Sequence, residues 1–107
     1  MSALSVLTRY PSKHLRPGEN DQGFEFEGPG LVAILREDAP KNTKPMLYKA
    51  LTAVNAEDDA LAVARNLLER RSPSDQYVFA VLLSIPDQAE RQKALKEFAP
   101  MCIEGIA

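Results

Sequence analysis

The sequence predicts an α+β fold, in which a small N-terminal antiparallel β-sheet of two or three strands precedes a compact bundle of about four short helices. One observation is a change of period, since apolar residues recur at every second position before Pro40 and about every 3.6 positions after it. Another is that helix-capping signals recur after Pro40. The length of 107 residues suits a single domain, with a β-rich part at 1–40 and a helical part at 41–107.

The predicted strands are Leu4–Tyr10, Phe24–Glu27 and Leu31–Leu35. The first two alternate in polarity, and the third is an apolar run typical of a strand buried on both faces. Because Gly28–Gly30 forms a turn between the second and third, these two strands are expected to pair as a hairpin. An isolated hairpin is marginal in water, so the first strand, the helices or another chain must cover it.

The first two predicted helices follow Pro40, with Thr43 and Asn55 as their caps. Both show apolar stripes at helical spacing. The stripe of the first helix consists of Met46, Leu47, Ala50, Leu51 and Val54. That of the second consists of Ala60, Leu61, Ala64, Leu67 and Leu68. The acidic residues 57–59 are expected in the first turn of the second helix, where the helix dipole favours negative charge.

The third predicted helix, Tyr77–Ile85, is apolar on every face and is therefore placed at the centre of the fold. Its aromatic and β-branched residues would also suit a central strand, but the capping box at Ser72–Asp75 favours a helix.

The fourth predicted helix runs from Asp87 to about Phe98, and Pro100 ends it. Its two faces differ in polarity. The core-facing residues are Ala94, Leu95 and Phe98. The water-facing residues are Glu90, Arg91, Lys93, Lys96 and Glu97.

Composition and charge restrict the class of protein. Hydrophobic residues make up 45% and charged residues 26%, as in ordinary soluble domains. The net charge of −2 gives no long-range field that would recruit nucleic acid or an anionic membrane. No apolar run approaches the roughly 20 residues that span a bilayer, and the N-terminus does not have the pattern of a secretory signal. We therefore expect a cytoplasmic protein.

Few residues suggest catalysis. His14 is the only histidine, in a polar segment, and Cys102 is the only cysteine, in an apolar one. A lone cysteine of this kind is usually a packing residue, and neither a zinc pattern nor a phosphate-binding glycine loop is present. Glu25 and Glu27 suit a solvated strand face. The sequence predicts no enzyme, metal or cofactor, and a small enzyme using His14 or Cys102 is the less favoured alternative.

The candidate partner-binding residues lie in the segment 9–16 and in the predicted hairpin. The segment combines cations, an aromatic ring and an imidazole, which could meet phosphates or an acidic protein surface. It belongs to a long stretch at 11–23 without a predicted element, which is typical of recognition loops. The candidate residues are Arg9, Tyr10, Lys13, His14, Arg16, Phe24 and Phe26.

We therefore predict a small non-enzymatic protein-binding protein, an inhibitor or adaptor of a larger complex. The analogy is to small bacterial or phage-encoded binders such as antagonists of host defence, and it is one of type, without a shared motif. The exposed hairpin edge also suggests a homodimer, as does an apolar tail consisting of Met101, Cys102, Ile103 and Ile106. The alternative is a nucleic-acid-binding accessory protein, if the fold places the segment 9–16 beside a second basic cluster of Arg65, Arg70 and Arg71.

Overall fold

The computed structural model describes residues 4–16, 26–37, 48–71 and 78–106. These residues form three α-helices, four β-strands and one short 3₁₀ helix. The α-helices are α1 (Leu4–Arg9), α2 (Ala60–Glu69) and α3 (Gln88–Phe98), and the 3₁₀ helix is Ala99–Met101. The strands are β1 (Ser12–Leu15), β2 (Gly30–Glu37), β3 (Tyr48–Ala56) and β4 (Val78–Ser84).

The four strands form one antiparallel sheet in the order β1–β4–β2–β3. The two central strands, β2 and β4, are almost entirely apolar and are buried along nearly their whole length. The edge strands are β1, which pairs His14 with Val81 of β4, and β3, which pairs Val54 with Val32 of β2. The chain thus places the N-terminal strand at one edge and the third strand at the other.

Helices cover both faces of the sheet. α2 packs on one face through Ala60, Ala64 and Leu68, which contact side chains of β2 and β4 such as Ile34 and Leu82. α1 and α3 pack on the other face. The buried residues there are Val6, Leu7, Leu31, Ala33, Leu35, Ala53, Phe79, Val81, Leu83, Ile85, Ala94 and Phe98. The molecule therefore has three layers, with two apolar cores separated by the sheet.

This architecture shows that the predicted fold class is wrong. The strands are distributed along the chain rather than confined to its first part, and only α2 and α3 among the described helices exceed two turns. The sheet has four strands, and the helices flank it instead of forming a bundle.

The predicted first strand is mostly the helix α1. Val6 and Leu7 are adjacent in sequence and both are buried, and Tyr10 packs against the same core three residues later. A strand would send adjacent side chains to opposite faces, whereas this spacing fits one side of a helix. The apparent alternation of Leu4, Val6 and Tyr10 therefore misled the prediction.

The predicted first helix is the strand β3, and a β-bulge explains the error. The register shifts between Ile34 and Leu35, which pair with Thr52 and Ala50 and leave Leu51 as the extra residue. Leu51 then shares the α2 face with Val54 and Ala56. The bulge breaks the period of two and produces a spacing of three, which resembles that of a helix.

The predicted central helix at Tyr77–Ile85 is the strand β4. Its residues are apolar on every side because helices cover both faces of the sheet, as a strand between two layers requires. The expectation that this segment lies at the centre of the fold is confirmed, while the capping box at Ser72–Asp75 lies outside the described residues.

Other predicted elements are confirmed in part. The apolar run Leu31–Leu35 is a buried strand within β2, but the residues of the predicted strand before it that the structure describes, 26 and 27, are not in a strand. Asp87 caps α3 by accepting from the Glu90 N–H at 3.0 Å. The cap of α2 is Asp59 rather than Asn55, accepting from Ala62 N–H at 3.2 Å.

Candidate functional site

The edge strand β1 is the element that carries most of the predicted partner-binding residues. Arg9 ends α1, Tyr10 follows it, Lys13 and His14 lie in β1, and Arg16 comes directly after the strand. The segment 9–16 is therefore the junction of a helix and a strand, and the prediction of a loop there is wrong. The structure brings these five residues to one edge of the sheet.

The pairing of β1 determines which backbone groups face outward. Ser84 N–H donates to the Pro11 carbonyl at 2.9 Å, and the antiparallel register then directs the peptide groups of Lys13 and Leu15 toward β4. In an antiparallel strand the intervening residues direct both N–H and C=O to the other side. The backbone groups of Ser12 and His14 therefore face away from β4, and no strand among the described residues pairs with that side.

Ion pairs fix two of the cations beside this edge. Arg9 Nη1 lies 3.0 Å from Glu97 Oε2 on α3, and Arg16 Nη2 lies 2.7 Å from Glu37 Oε1 at the end of β2. Hydrogen bonding and charge from Glu97 raise the pKa of Arg9 above its usual range. Both arginines keep 44% of their side-chain surface exposed, so water screens the two pairs.

Phe79 of β4 connects these groups. Its ring is almost fully buried, beneath the side chains of His14 and Arg16. The His14 ring centroid lies 5.5 Å away at an interplanar angle of 34°, and the Arg16 guanidinium lies 4.9 Å from the Phe79 centroid, within range of a cation–π interaction. Arg16 thus extends across β4, over an aromatic ring, to reach Glu37.

A shallow cleft of about 420 Å³ lies on the same face of the sheet, between α1 and the strands. Its floor is apolar, and hydroxyl groups and the His14 imidazole line its rim. The lining residues are Leu7, Thr8, Tyr10, Ser12, His14, Leu35, Phe79 and Val81. Apolar surface with a few polar groups at the rim is the usual composition of a site that takes a small molecule or a side chain.

The opposite edge of the sheet is covered in part. After α3 the C-terminal segment runs along β3, where Ile103 N–H donates to the Ala50 carbonyl at 3.1 Å and Glu104 N–H to the Leu51 carbonyl at 2.9 Å. Thr52 donates its hydroxyl to the Gly105 carbonyl at 2.8 Å. The tail therefore occupies the outer side of β3 at the bulge. Its large apolar side chains remain exposed at Met101, Ile103 and Ile106.

Arg71 of the second basic cluster lies away from the segment 9–16. Arg71 follows α2 and donates through both terminal nitrogens to Glu104 of the tail, beside β3. The segment 9–16 belongs to the β1 edge, three strand spacings or roughly 14 Å away across the sheet. For Arg71, the juxtaposition on which the nucleic-acid alternative depended is therefore not found.

The two predicted phenylalanines are separate from this edge. Phe26 is half-buried and packs against the core on the α2 face, the opposite side of the sheet from the cleft. Phe24 lies outside the described residues. The hairpin edge that suggested a homodimer is also absent, because β2 is paired on both sides.

His14 and Cys102 do not form a pair. The Cys102 thiol contacts the Phe98 carbonyl at 3.8 Å, just before the tail joins β3, whereas His14 lies on the other edge strand. Burial raises the pKa of the Cys102 thiol above its usual value and reduces its nucleophilic thiolate fraction. Within the described ranges no three His, Cys, Asp or Glu side chains come close enough to hold a metal ion.

Three members of the site were missed by the sequence reasoning, namely Phe79, Glu37 and Glu97. Phe79 was interpreted as a core residue only, and the two glutamates as ordinary surface or not at all. Glu97 is 88 residues from Arg9 in sequence, so no local pattern could join them. The interleaved strand order, which places β4 between β1 and β2, brings Arg16 close to Glu37.

Comparisons with protein-family models, with curated proteins and with solved structures find no significant match to this chain. No helix in the described part of the chain is long and apolar enough to cross a membrane.

Proposed function

We propose that this chain is a non-enzymatic protein-binding protein, whose strand β1 pairs with an extended segment of a partner protein. The observation that supports it best is the contrast between the two sheet edges. The tail occupies the outer side of β3 at the bulge, whereas no described residue bonds the outward peptide groups of Ser12 and His14. Strand addition at such an edge is a common mode of peptide recognition.

The cleft beside β1 supports the same proposal. The Ser12 and His14 side chains lie on the cleft face, so a strand added beside them directs every second side chain toward the cleft rim. Main-chain bonds would then supply affinity, and the cleft would select the side chain. A protein that acts in this way blocks or organises its partner, as an inhibitor or adaptor does.

The test uses a proline at the outward position. His14→Pro removes the outward N–H of His14 without removing a bond to β4, and edge strands tolerate proline where the N–H faces solvent. His14→Ala is the matched control, because it also removes the ring but keeps the N–H. We expect His14→Pro to weaken partner binding about tenfold or more, and His14→Ala to weaken it far less.

The protein is tagged and used to capture partners from host lysate, with and without nuclease. The affinity of each variant for the captured protein is then measured. Circular dichroism must show that both variants remain folded. Retention of wild-type affinity by His14→Pro would refute strand addition at β1. Capture of nucleic acid alone, lost on nuclease treatment, would support the nucleic-acid alternative instead.

A further inference from the structure

The C-terminal tail covers only part of the outer side of β3. Its N–H groups bond the carbonyls of Ala50 and Leu51, and its Gly105 carbonyl accepts from the Thr52 hydroxyl. Gly105 has a φ of +78°, in the left-handed region, which ends an extended course of the chain. The bonds between the described tail and β3 therefore end at Thr52.

The outer side of β3 continues beyond the tail. Because Ser84 of β4 bonds to β1, alternation directs the peptide groups of Val81 to its partner Ala33 of β2. The peptide groups of Ala33 thus point toward β4, and those of its β3 partner Ala53 point outward. Asn55, two residues further on, has the same orientation. No described residue bonds these outward groups of Ala53 and Asn55.

The tail buries little apolar surface. Ile103 is 69% exposed, and the side chains of Met101 and Ile106 are exposed as well, so the tail depends mainly on its few polar bonds. From these contacts we infer that the tail is releasable, and that an acidic extended segment of another protein displaces it and pairs with β3 from Ala50 to Asn55. This site is separate from the β1 edge and does not depend on the strand addition proposed there.

The tail itself shows what the displacing segment must offer. Arg71 donates through both terminal nitrogens to Glu104, and the described residues give Arg71 no other carboxylate. Release of the tail would leave this cation without its partner, so a carboxylate in the displacing segment would restore the pair. Beyond that carboxylate, residues that continue as a strand would bond Ala53 and Asn55, which the tail does not bond.

The tail of a second copy is a poor occupant of this site. It has the same sequence as the resident tail, which is tethered beside β3 at an effective concentration on the order of millimolar. A displacing segment must therefore bond more of β3 than the tail does. The favoured segment is an acidic residue followed by a run of strand-forming residues.

Hydrogen exchange of the ¹⁵N-labelled full-length chain measures release of the tail. The Glu104 N–H, which donates to Leu51, should exchange at least about tenfold faster than the Val32 N–H at the sheet centre, after correction for intrinsic rates. Ile103→Pro removes the bond to the Ala50 carbonyl and should accelerate Glu104 exchange about fivefold. Ile103→Ala is the matched control, because it also removes the exposed side chain but keeps the N–H.

A capped peptide, acetyl-Ser-Ile-Glu-Val-Thr-Val-Thr-amide, is the probe for the displacing segment. It repeats the tail up to the glutamate, with serine in place of cysteine, and continues as a strand where the tail has Gly105. The amide shifts of Ala53 and Asn55 report binding. Because the resident tail competes with the probe, Ile103→Pro should tighten binding by the same factor, about fivefold, by which it accelerates Glu104 exchange. Glutamine in place of the probe's glutamate should weaken binding about twofold to fivefold.

The outcomes test each part of the inference. Exchange of Glu104 only through global unfolding, or equal probe affinity for Ile103→Pro and Ile103→Ala, would overturn release of the tail. Equal binding of the glutamate and glutamine probes would overturn the acidic segment. Absence of shifts at Ala53 with the probe at about millimolar concentration would overturn the β3 site. If shifts occur at Ser12 instead and His14→Pro abolishes them, the proposed function stands without that site. Self-association of Ile103→Pro in sedimentation velocity would identify a second copy as the occupant and refute a partner protein.

Discussion

Arg91 of α3 gives the sharpest prediction about stability. It was expected to face water, yet it is only 2% exposed. Its guanidinium donates to three neutral acceptors, all at 2.8 Å: Nε to Asn55 Oδ1, and Nη1 to the carbonyls of Ile85 and Pro86. These bonds join α3 to the end of β3 and to the segment after β4. We predict that Arg91→Met destabilises the protein.

The magnitude follows from how far each acceptor is buried. The bond to the Ile85 carbonyl is fully buried, and losing its donor costs about 1–3 kcal/mol. The bonds to Asn55 and Pro86 are only partly buried, so water can replace the donor there at small cost. Methionine fills much of the volume and avoids the desolvation of a buried cation, which offsets part of the loss. We expect a net loss of about 2 kcal/mol, or about 8 °C in melting temperature.

Urea unfolding followed by far-UV circular dichroism measures this loss as a fall in midpoint at constant slope. Lys93→Met is the matched control, because it removes an exposed cation from the same helix and should change stability by less than about 0.5 kcal/mol. If Arg91→Met were as stable as the wild type, the desolvation cost of the guanidinium would outweigh its three bonds, and the reasoning would fail.

Two further predictions concern a glycine in β2 and the C-terminal tail. A Cβ added at Gly30 would overlap the Leu83 carbonyl oxygen, so Gly30→Ala should lower the free energy of unfolding in urea by about 2–3 kcal/mol. Gly28 has a φ of +82° and open space around it, so Gly28→Ala should lower it by only about 1 kcal/mol. Equal losses for the two variants would contradict this account. Arg71 lowers the pKa of Glu104 below its ordinary value of 4.5, mainly by hydrogen bonding. Above pH 4.5 the wild type should therefore be more stable than Glu104→Gln, by no more than about 0.5 kcal/mol because the pair is exposed. This difference in stability should vanish as the pH falls through the lowered pKa of Glu104. A difference that persists at about pH 2 would show that the ion pair is not its cause.

The sequence predicts those elements whose signals are local. α3 was found because Asp87 caps it and its apolar positions recur at helical spacing. The buried strand within β2 could be predicted because a continuous apolar run directly after a turn is typical of a strand buried on both faces. β3 was mistaken for a helix because the bulge at Leu51 is a property of its pairing with β2, and pairing is not visible in one segment alone.

The candidate site could also be predicted only in its local part. The cations at Arg9, Lys13 and Arg16 are close in sequence, and they were recognised as a group. Their surroundings depend on strand order, since β4 enters the sheet between β1 and β2 and places Phe79 beneath Arg16. The same non-local pairing shows that the segment is a sheet edge, which its polar sequence did not suggest.

The partly covered β3 edge has a consequence for how assemblies of this protein would end. A sheet open on both sides can add strands at each end and grow into a filament. Here the tail holds the outer side of β3 at the bulge, through the carbonyls of Ala50 and Leu51 and the hydroxyl of Thr52, so a strand added at β3 would meet the tail there. The described sheet therefore favours extension from β1 over extension from β3. Growth from both edges at once, which a filament of this kind requires, is disfavoured.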